Sequence, residues 1–454
     1  VHELAAAGSF ATAEPITLNR RLRTAFGRAD REIFGEPFRR FLEADTITAV
    51  VTGTISRSTT GFLLHVRLHD TRGEVRVENV YPLPDDDALP FTVRSAVQKI
   101  TGHFLGEGRF TPETVVHPGI ARRLPTVGTY RRFLEARRVM DRGLSTERLL
   151  QSILRTDPAF LRARIFLTFE LLDEGRTAEA ERIYPLLLKA EQRADLFEQA
   201  MISAAGARLT GNDAAYDAAL RRAMQYSVND DVLCFHGAQS AVRNEDYGRA
   251  LSLLRPSLRY RRPCAAVYTL AAYCALARGD SAEAKRITLS NWELCRSDPD
   301  ASALRAVFAY TEGFNDSATA WEQRFVASFT RRKQSLDSAY DRLAEYYRLT
   351  GRADRAVEWA RKAVAAAPAQ PARLCRLAHA LAAAGAMDEA EDTLAQCIAR
   401  FPLYAPARYD IGRLYESTGR FSEAAAAYDS MLAIDTLSFR ALDARRRRAA
   451  LPSP

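Results

Sequence analysis

GRADRAVEWARKAVAAAP (Gly351–Pro368) and GRFSEAAAAYDSMLAID (Gly419–Asp435) are two copies of one pattern. A third copy opens at Gly385, so the three glycines are spaced by 34 residues. Seven residues upstream of each stands a small residue: Ala344, Ala378 and Gly412. Five downstream stand Ala356, Ala390 and Ala424, and four further on Ala360, Leu394 and Tyr428. Four upstream stand Tyr347, Leu381 and Tyr415. The small residues let two helices approach closely, and the larger ones fill the space between copies. Glycine ends the first helix because the left-handed backbone costs it nothing. Pro368 and Pro402 fall where the second helix must stop.

The same place is held by Gly143, Gly175, Gly211, Gly279 and Gly313, and by Glu245 in EDYGRAL. Successive spacings from Gly143 are 32, 36, 34, 34, 34, 38, 34 and 34. Ala180, Ala250, Ala284 and Ala318 follow at the downstream position. A period of this length, repeated nine times, marks a repeat architecture. It resembles the tetratricopeptide repeat family over about residues 125–440. The resemblance implies a mainly α fold: an α-solenoid of helix pairs in a right-handed superhelix, with the inner helices lining a concave groove.

Residues 1–118 read differently. VVTGTI (Val50–Ile55) is a β-rich run, and Phe62, Leu64, Val66 and Leu68 alternate with Leu63, His65 and Arg67. That is the period-two pattern of a half-buried strand. Ser58–Gly61 and Asp70–Gly73 are turns, and a third strand runs from Val75 to Tyr81. Leu89, Val93, Val97, Ile100 and Phe104 mark one helix face, and Asn19–Leu42 also reads as helical. AVVTGTISR (Ala49–Arg57) and HVRLHDTRG (His65–Gly73) are similar to segments of a small α/β module related to the amino-terminal domain of TolB. That module precedes tetratricopeptide repeats in bacterial signalling proteins, often behind a kinase, cyclase or DNA-binding effector. The expected organisation is therefore an α/β module at 1–118, about nine repeats at 125–440 and a basic tail at 441–454.

The net charge is +8, and nearly all basic residues are arginine. With so much alanine, this skew reflects a GC-rich bacterial genome. The best local cluster for phosphate contacts is Arg255, Arg259, Tyr260, Arg261 and Arg262, but charge is otherwise interspersed with Asp and Glu, which argues against nucleic acid. Arg445–Arg448 read as a frayed, solvated tail. The six cysteines form no CxxC pair and lie in apolar stretches as small hydrophobes. There is no GxSxG, GxxxxGK[ST], HExxH, kinase signature or strand-linked GxGxxG, so no catalytic residue and no cofactor are assigned. His65 and His69 share a strand face with Asp70 beside them, but a metal needs a further convergent ligand. They read as solvated, and the acidic run Asp85–Asp87 as a helix start.

The favoured function is a non-enzymatic scaffold or regulatory partner that binds a protein or peptide in the repeat groove, in the cytoplasm. The alternative is the sensory portion of a bacterial signalling protein whose effector, or membrane anchor, lies outside this chain. In the repeat family, peptide contacts come from the second, fifth, ninth, twelfth and thirteenth positions of each first helix. Carried over, these are Tyr273, Tyr310, Asp341, Glu345, Arg348, Cys375, His379, Tyr409, Arg413 and Glu416. Asp341 and Glu345 stand where some family members carry a Lys/Asn clamp for carboxylates.

Overall fold

The structure is a computed structural model that describes residues 12–13, 49–58, 61–70, 72, 74–83, 127–140, 145–228, 231–259, 264–295 and 298–452. The helices expected at Asn19–Leu42 and Leu89–Phe104, Gly143, Asp85–Asp87 and Tyr260–Arg262 lie outside these residues. The chain divides into two compact units, residues 1–237 and 238–454.

The first unit holds a three-stranded antiparallel sheet: β1 (Ala49–Ser58), β2 (Gly61–Asp70) and β3 (Val75–Leu83), in that order. The alternation along β2 sorts its faces. Leu64 and Leu68 are buried, with Val51, Val66 and Val77 packed around Leu68. On the other face Arg67 pairs with Glu78 at 2.7 Å and His65 bonds Ser56 at 2.9 Å. His69 is a correction: it was expected in solvent but is buried, hydrogen-bonded to Thr52 at 2.9 Å. Asp70 accepts bonds from the backbone N–H of Arg72 and Glu74, which fixes the turn into β3. A short parallel pairing joins Thr12–Ala13 to Ser227–Val228.

The helices of this unit are α1 (Val127–Met140), α2 (Glu147–Thr156), α3 (Leu161–Asp173), α4 (Thr177–Ala190), α5 (Leu196–Leu209) and α6 (Asp213–Tyr226). Phe133, Leu150, Ile153, Phe160 and Phe166 fill the first layer, and Ile165, Leu187, Met201, Tyr216 and Leu220 the next. α5 begins with a capping box: Asp195 accepts from the Glu198 N–H and Glu198 from the Asp195 N–H. Buried Arg162 on α3 neutralises both carboxylates, at 2.8 and 3.2 Å.

The unit boundary falls inside α7 (Asp231–Arg243). The second unit continues with α8 (Tyr247–Arg259), α9 (Ala265–Ala277), α10 (Ser281–Leu294), α11 (Pro299–Thr311), α12 (Asn315–Arg331) and α13 (Leu336–Leu349). It ends with α14 (Ala353–Ala366), α15 (Pro371–Ala383), α16 (Met387–Arg400), α17 (Ala405–Ser417), α18 (Phe421–Leu432) and α19 (Phe439–Ala450). Each odd helix of the array pairs with the following even one. The turn residue between them has positive φ at Gly175, Gly211, Glu245, Gly279, Gly313, Gly351, Gly385 and Gly419. Ala344, Ala378, Ala356, Ala390 and Ala424 are all buried, as the repeat requires. The fold is thus an α-solenoid preceded by a small sheet, as the sequence leads one to expect.

The irregular spacings have local causes. The 36-residue interval contains a 3-10 turn, Glu191–Arg193, between α4 and α5. The 38-residue interval contains α12, which runs 17 residues and ends at a second left-handed residue, Lys333. The expected basic tail is also corrected. Residues 439–450 form α19, with Phe439, Ala441 and Ala444 buried and the Ser438 hydroxyl accepting from the Ala441 N–H. An apolar stripe covers the last repeat, and Arg447 and Arg448 pair with Asp443 and Asp429.

A methyl group added at Gly412 would lie 2.7 Å from the buried Tyr428 ring. Gly→Ala inside a helix ordinarily gains about 1 kcal/mol. Here Gly412→Ala is expected to destabilise instead, by about 1–3 kcal/mol. Urea melts of the two proteins decide it; a raised midpoint would show that α17 and α18 are not packed this closely.

Candidate interaction surface

The sequence-predicted site residues sit on the first helices of the second unit, and they do not form one open row. Glu345 on α13 is the centre. It is 6% exposed and accepts from Tyr273 at 3.2 Å, from Arg348 at 2.9 Å and from Arg376 at 2.6 Å. Burial opposes its charge, but Arg348 and Arg376 outweigh burial and hold its carboxyl at about 2. Asp341, one turn earlier, takes Arg373 at 3.0 Å and Arg376 at 3.3 Å. Asp337, a further turn back, takes Arg373 at 2.6 Å. Acids on α13 therefore meet bases on α15 along the shared face.

Tyr273 stands edge-on to Tyr247 at 6.0 Å. Burial raises the Tyr247 hydroxyl, and the fields of Glu245, Glu345 and Arg348 also reach it. Arg413 on α17 closes this rim by donating to Glu245 at 3.2 Å, 168 residues away in sequence. His379 lies beside Asp410 at 3.1 Å, and buried Cys375 joins the apolar core of α15–α17. The structure thus brings Tyr273, Asp341, Glu345 and Arg348 into one cluster, with Arg413 at its edge.

Three predicted residues are engaged elsewhere. Tyr310 bonds Asp354 at 3.0 Å and packs on Tyr347. Tyr409 donates to Asp443 on the terminal helix at 2.6 Å. Glu416 accepts from Tyr428 at 2.7 Å and faces Arg447 at 3.3 Å. Sequence reasoning missed Glu245, Tyr247, Arg373 and Arg376. The signal was present: Asp341 and Glu345 lie 35 and 31 residues before Arg376, about one repeat, so opposite charges were set to face each other.

The model of the tetratricopeptide repeat family matches residues 237–285 and 375–438, and a second model of the same repeat matches 337–370. Those segments carry tetratricopeptide repeats. No curated protein matches it by sequence. Among solved structures, the Cut9–Hcn1 hetero-tetramer of the APC/C is 15% identical, with a TM-score of 0.37, over 70% of this chain and 55% of the other. A tetratricopeptide repeat protein from Parabacteroides merdae is 11% identical, with a TM-score of 0.34, over 56% and 98%. One from Thermus thermophilus is 19% identical, with a TM-score of 0.30, over 48% and 97%. The chain thus spans about half the length of the first of these. No helix among the described residues is long and apolar enough to cross a membrane.

The Glu345 carboxyl lies below its ordinary 4.5, so its contribution to stability is complete above about pH 4.5 and is lost as pH falls toward about 2. Glu345→Gln is expected to cost about 1–3 kcal/mol at neutral pH, because Arg376 loses its closest carboxylate. It should also flatten the fall in melting temperature between pH 4.5 and 2. Parallel wild-type and variant slopes across that window would remove Glu345 from the centre of the network.

Proposed function

We propose that the protein is a non-enzymatic scaffold or regulatory partner that takes an extended protein segment along the inner face of its second unit. The observation that supports this reading is the cluster of Tyr247, Tyr273, Glu345 and Arg348, with Arg413 and His379 at its margin. It combines aromatic rings with both signs of charge on successive repeats. Arg413, Glu245 and His379 keep 42%, 58% and 40% of their side chains exposed, so they are the groups a segment would meet first. Charges arranged this way select for a matching pattern more than they add affinity.

Arg413→Glu tests it. The Arg413–Glu245 pair is exposed, and such pairs contribute about 0–1 kcal/mol, so the fold should hold. Partners captured by the wild-type chain should bind the variant more weakly and with a flatter salt dependence. Capture of the same partners at equal strength and salt sensitivity would overturn the groove reading. A second reading makes the chain the regulatory portion of a larger signalling protein, and the sheet ahead of the repeats is the observation behind it. Sequencing the reading frame upstream of Val1 tests it: a kinase, cyclase or DNA-binding frame supports it, and a stop codon overturns it.

A further inference from the structure

Arg305 breaks the repeat pattern. Eight residues before the turn glycine, the last three repeats place Leu343, Leu377 and Ile411, each an aliphatic residue. In the repeat that turns at Gly313 this position is Arg305. Its guanidinium lies 4.9 Å from the Trp292 ring on α10 and 4.5 Å from the Trp321 ring on α12. Arg324, one turn after Trp321, stacks on the same two rings at 4.9 and 5.2 Å. The indoles themselves stand edge to face at 5.2 Å. Two cations are thus held together by two aromatic faces. Burial, and after it the charge of Arg324, pushes Arg305 below its ordinary value. No carboxylate on the described residues pairs with either arginine.

The next repeat supplies the contrast. Trp359 and Lys362 occupy the positions of Trp321 and Arg324, with the Lys362 ammonium 4.0 Å over the ring. There the cation is neutralised by Glu358 at 2.7 Å. At Arg305 and Arg324 the equivalent anion is missing, and an outside one would relieve the repulsion. Leu289, one turn before Trp292, and Phe314, two turns before Trp321, are exposed.

We propose that Arg305, Arg324, Trp292 and Trp321 form a docking site for an acidic peptide segment of a protein partner, built on α10, α11 and α12 and sharing no residue with the Glu345 cluster. A planar guanidinium fork donates two hydrogen bonds to one carboxylate, and two forks on the same rings can donate to two neighbouring acidic side chains. The indole faces are already covered by the guanidiniums, which leaves little room for stacked bases. Nucleic acid also requires a longer track of phosphate contacts than two arginines supply.

The test uses the full chain and a short fluorescein-labelled peptide of alternating Glu and Leu. Its controls are the same peptide with Gln for Glu and a single-stranded oligothymidylate. Two of the chain's three tryptophans belong to the site, so tryptophan emission reports occupancy. The Glu peptide should bind at low salt and change that emission. Arg324→Gln, at an exposed position, should weaken it by about tenfold with an unchanged melting temperature. Lys362→Gln should leave it unchanged, because Lys362 already has its carboxylate. Arg413→Glu should also leave it unchanged, which separates this site from the inner face. Equal binding of the Gln peptide, wild-type affinity in Arg324→Gln, or no binding of the Glu peptide would each overturn the proposal. Tighter binding of the oligothymidylate would assign the site to nucleic acid instead.

Discussion

One backbone constraint underlies the array: the chain must turn through a left-handed residue at the end of each first helix. At eight described turns φ lies between 56° and 86°. Glycine adopts this without cost, whereas other L-residues give up about 1–2 kcal/mol. Seven of the eight are glycine, and the exception is informative. Glu245 accepts the strain and in return carries a side chain, which reaches Arg413 on α17. A glycine there would turn the chain equally well but could not form that contact.

The second organising feature is charge placed inside the stack. Glu322 on α12 is 3% exposed and accepts from Tyr347 at 2.6 Å, Arg355 at 2.5 Å and Trp359 at 3.2 Å. Three side chains from the following pair converge on one carboxylate. Arg162 does the same in the first unit by joining two carboxylates at the start of α5. Burying such charges is expensive, and well-packed apolar residues often do as well for stability. What the ion pairs add is specificity of neighbour. An alanine-rich helix packs against many surfaces, but Asp337, Asp341 and Glu345 fit only a helix that carries Arg373 and Arg376 at matching height. In a chain whose repeats resemble each other, this discriminates the correct next helix from a shifted one.

The same distinction explains what could be read from the sequence. The glycine period, the small residues and the inward-facing tyrosines follow from local geometry, so they were legible one repeat at a time. The strands of the sheet were legible because alternation at Leu64 and Leu68 is also local. The site was not, because a repeat position says which way a side chain points and not which neighbour meets it first. Tyr409 and Glu416 were assigned by register alone, and α19 supplies Asp443 and Arg447 to engage them. The terminal helix was itself missed because its four consecutive arginines mask a short apolar stripe, Phe439, Ala441 and Ala444. Arg305 was visible only as a departure, an arginine where the last three repeats carry aliphatic residues, and its meaning depended on two tryptophans from different helices. Local rules are broken where another demand competes with packing.

These observations separate two kinds of charged surface. On the inner face, Glu345, Asp341 and Arg376 satisfy one another, so a ligand gains little by pairing with them. It must break an existing pair for each one it forms, and the exchange rewards the right sequence of charges more than their number. At Arg305 and Arg324 the balance is reversed. Both guanidiniums lie on the same two indole rings, and no carboxylate among the described residues pairs with either, so the proposed acidic segment would supply the missing charge. On the two proposals made above, one surface would select a charge pattern and the other would draw in an acidic segment.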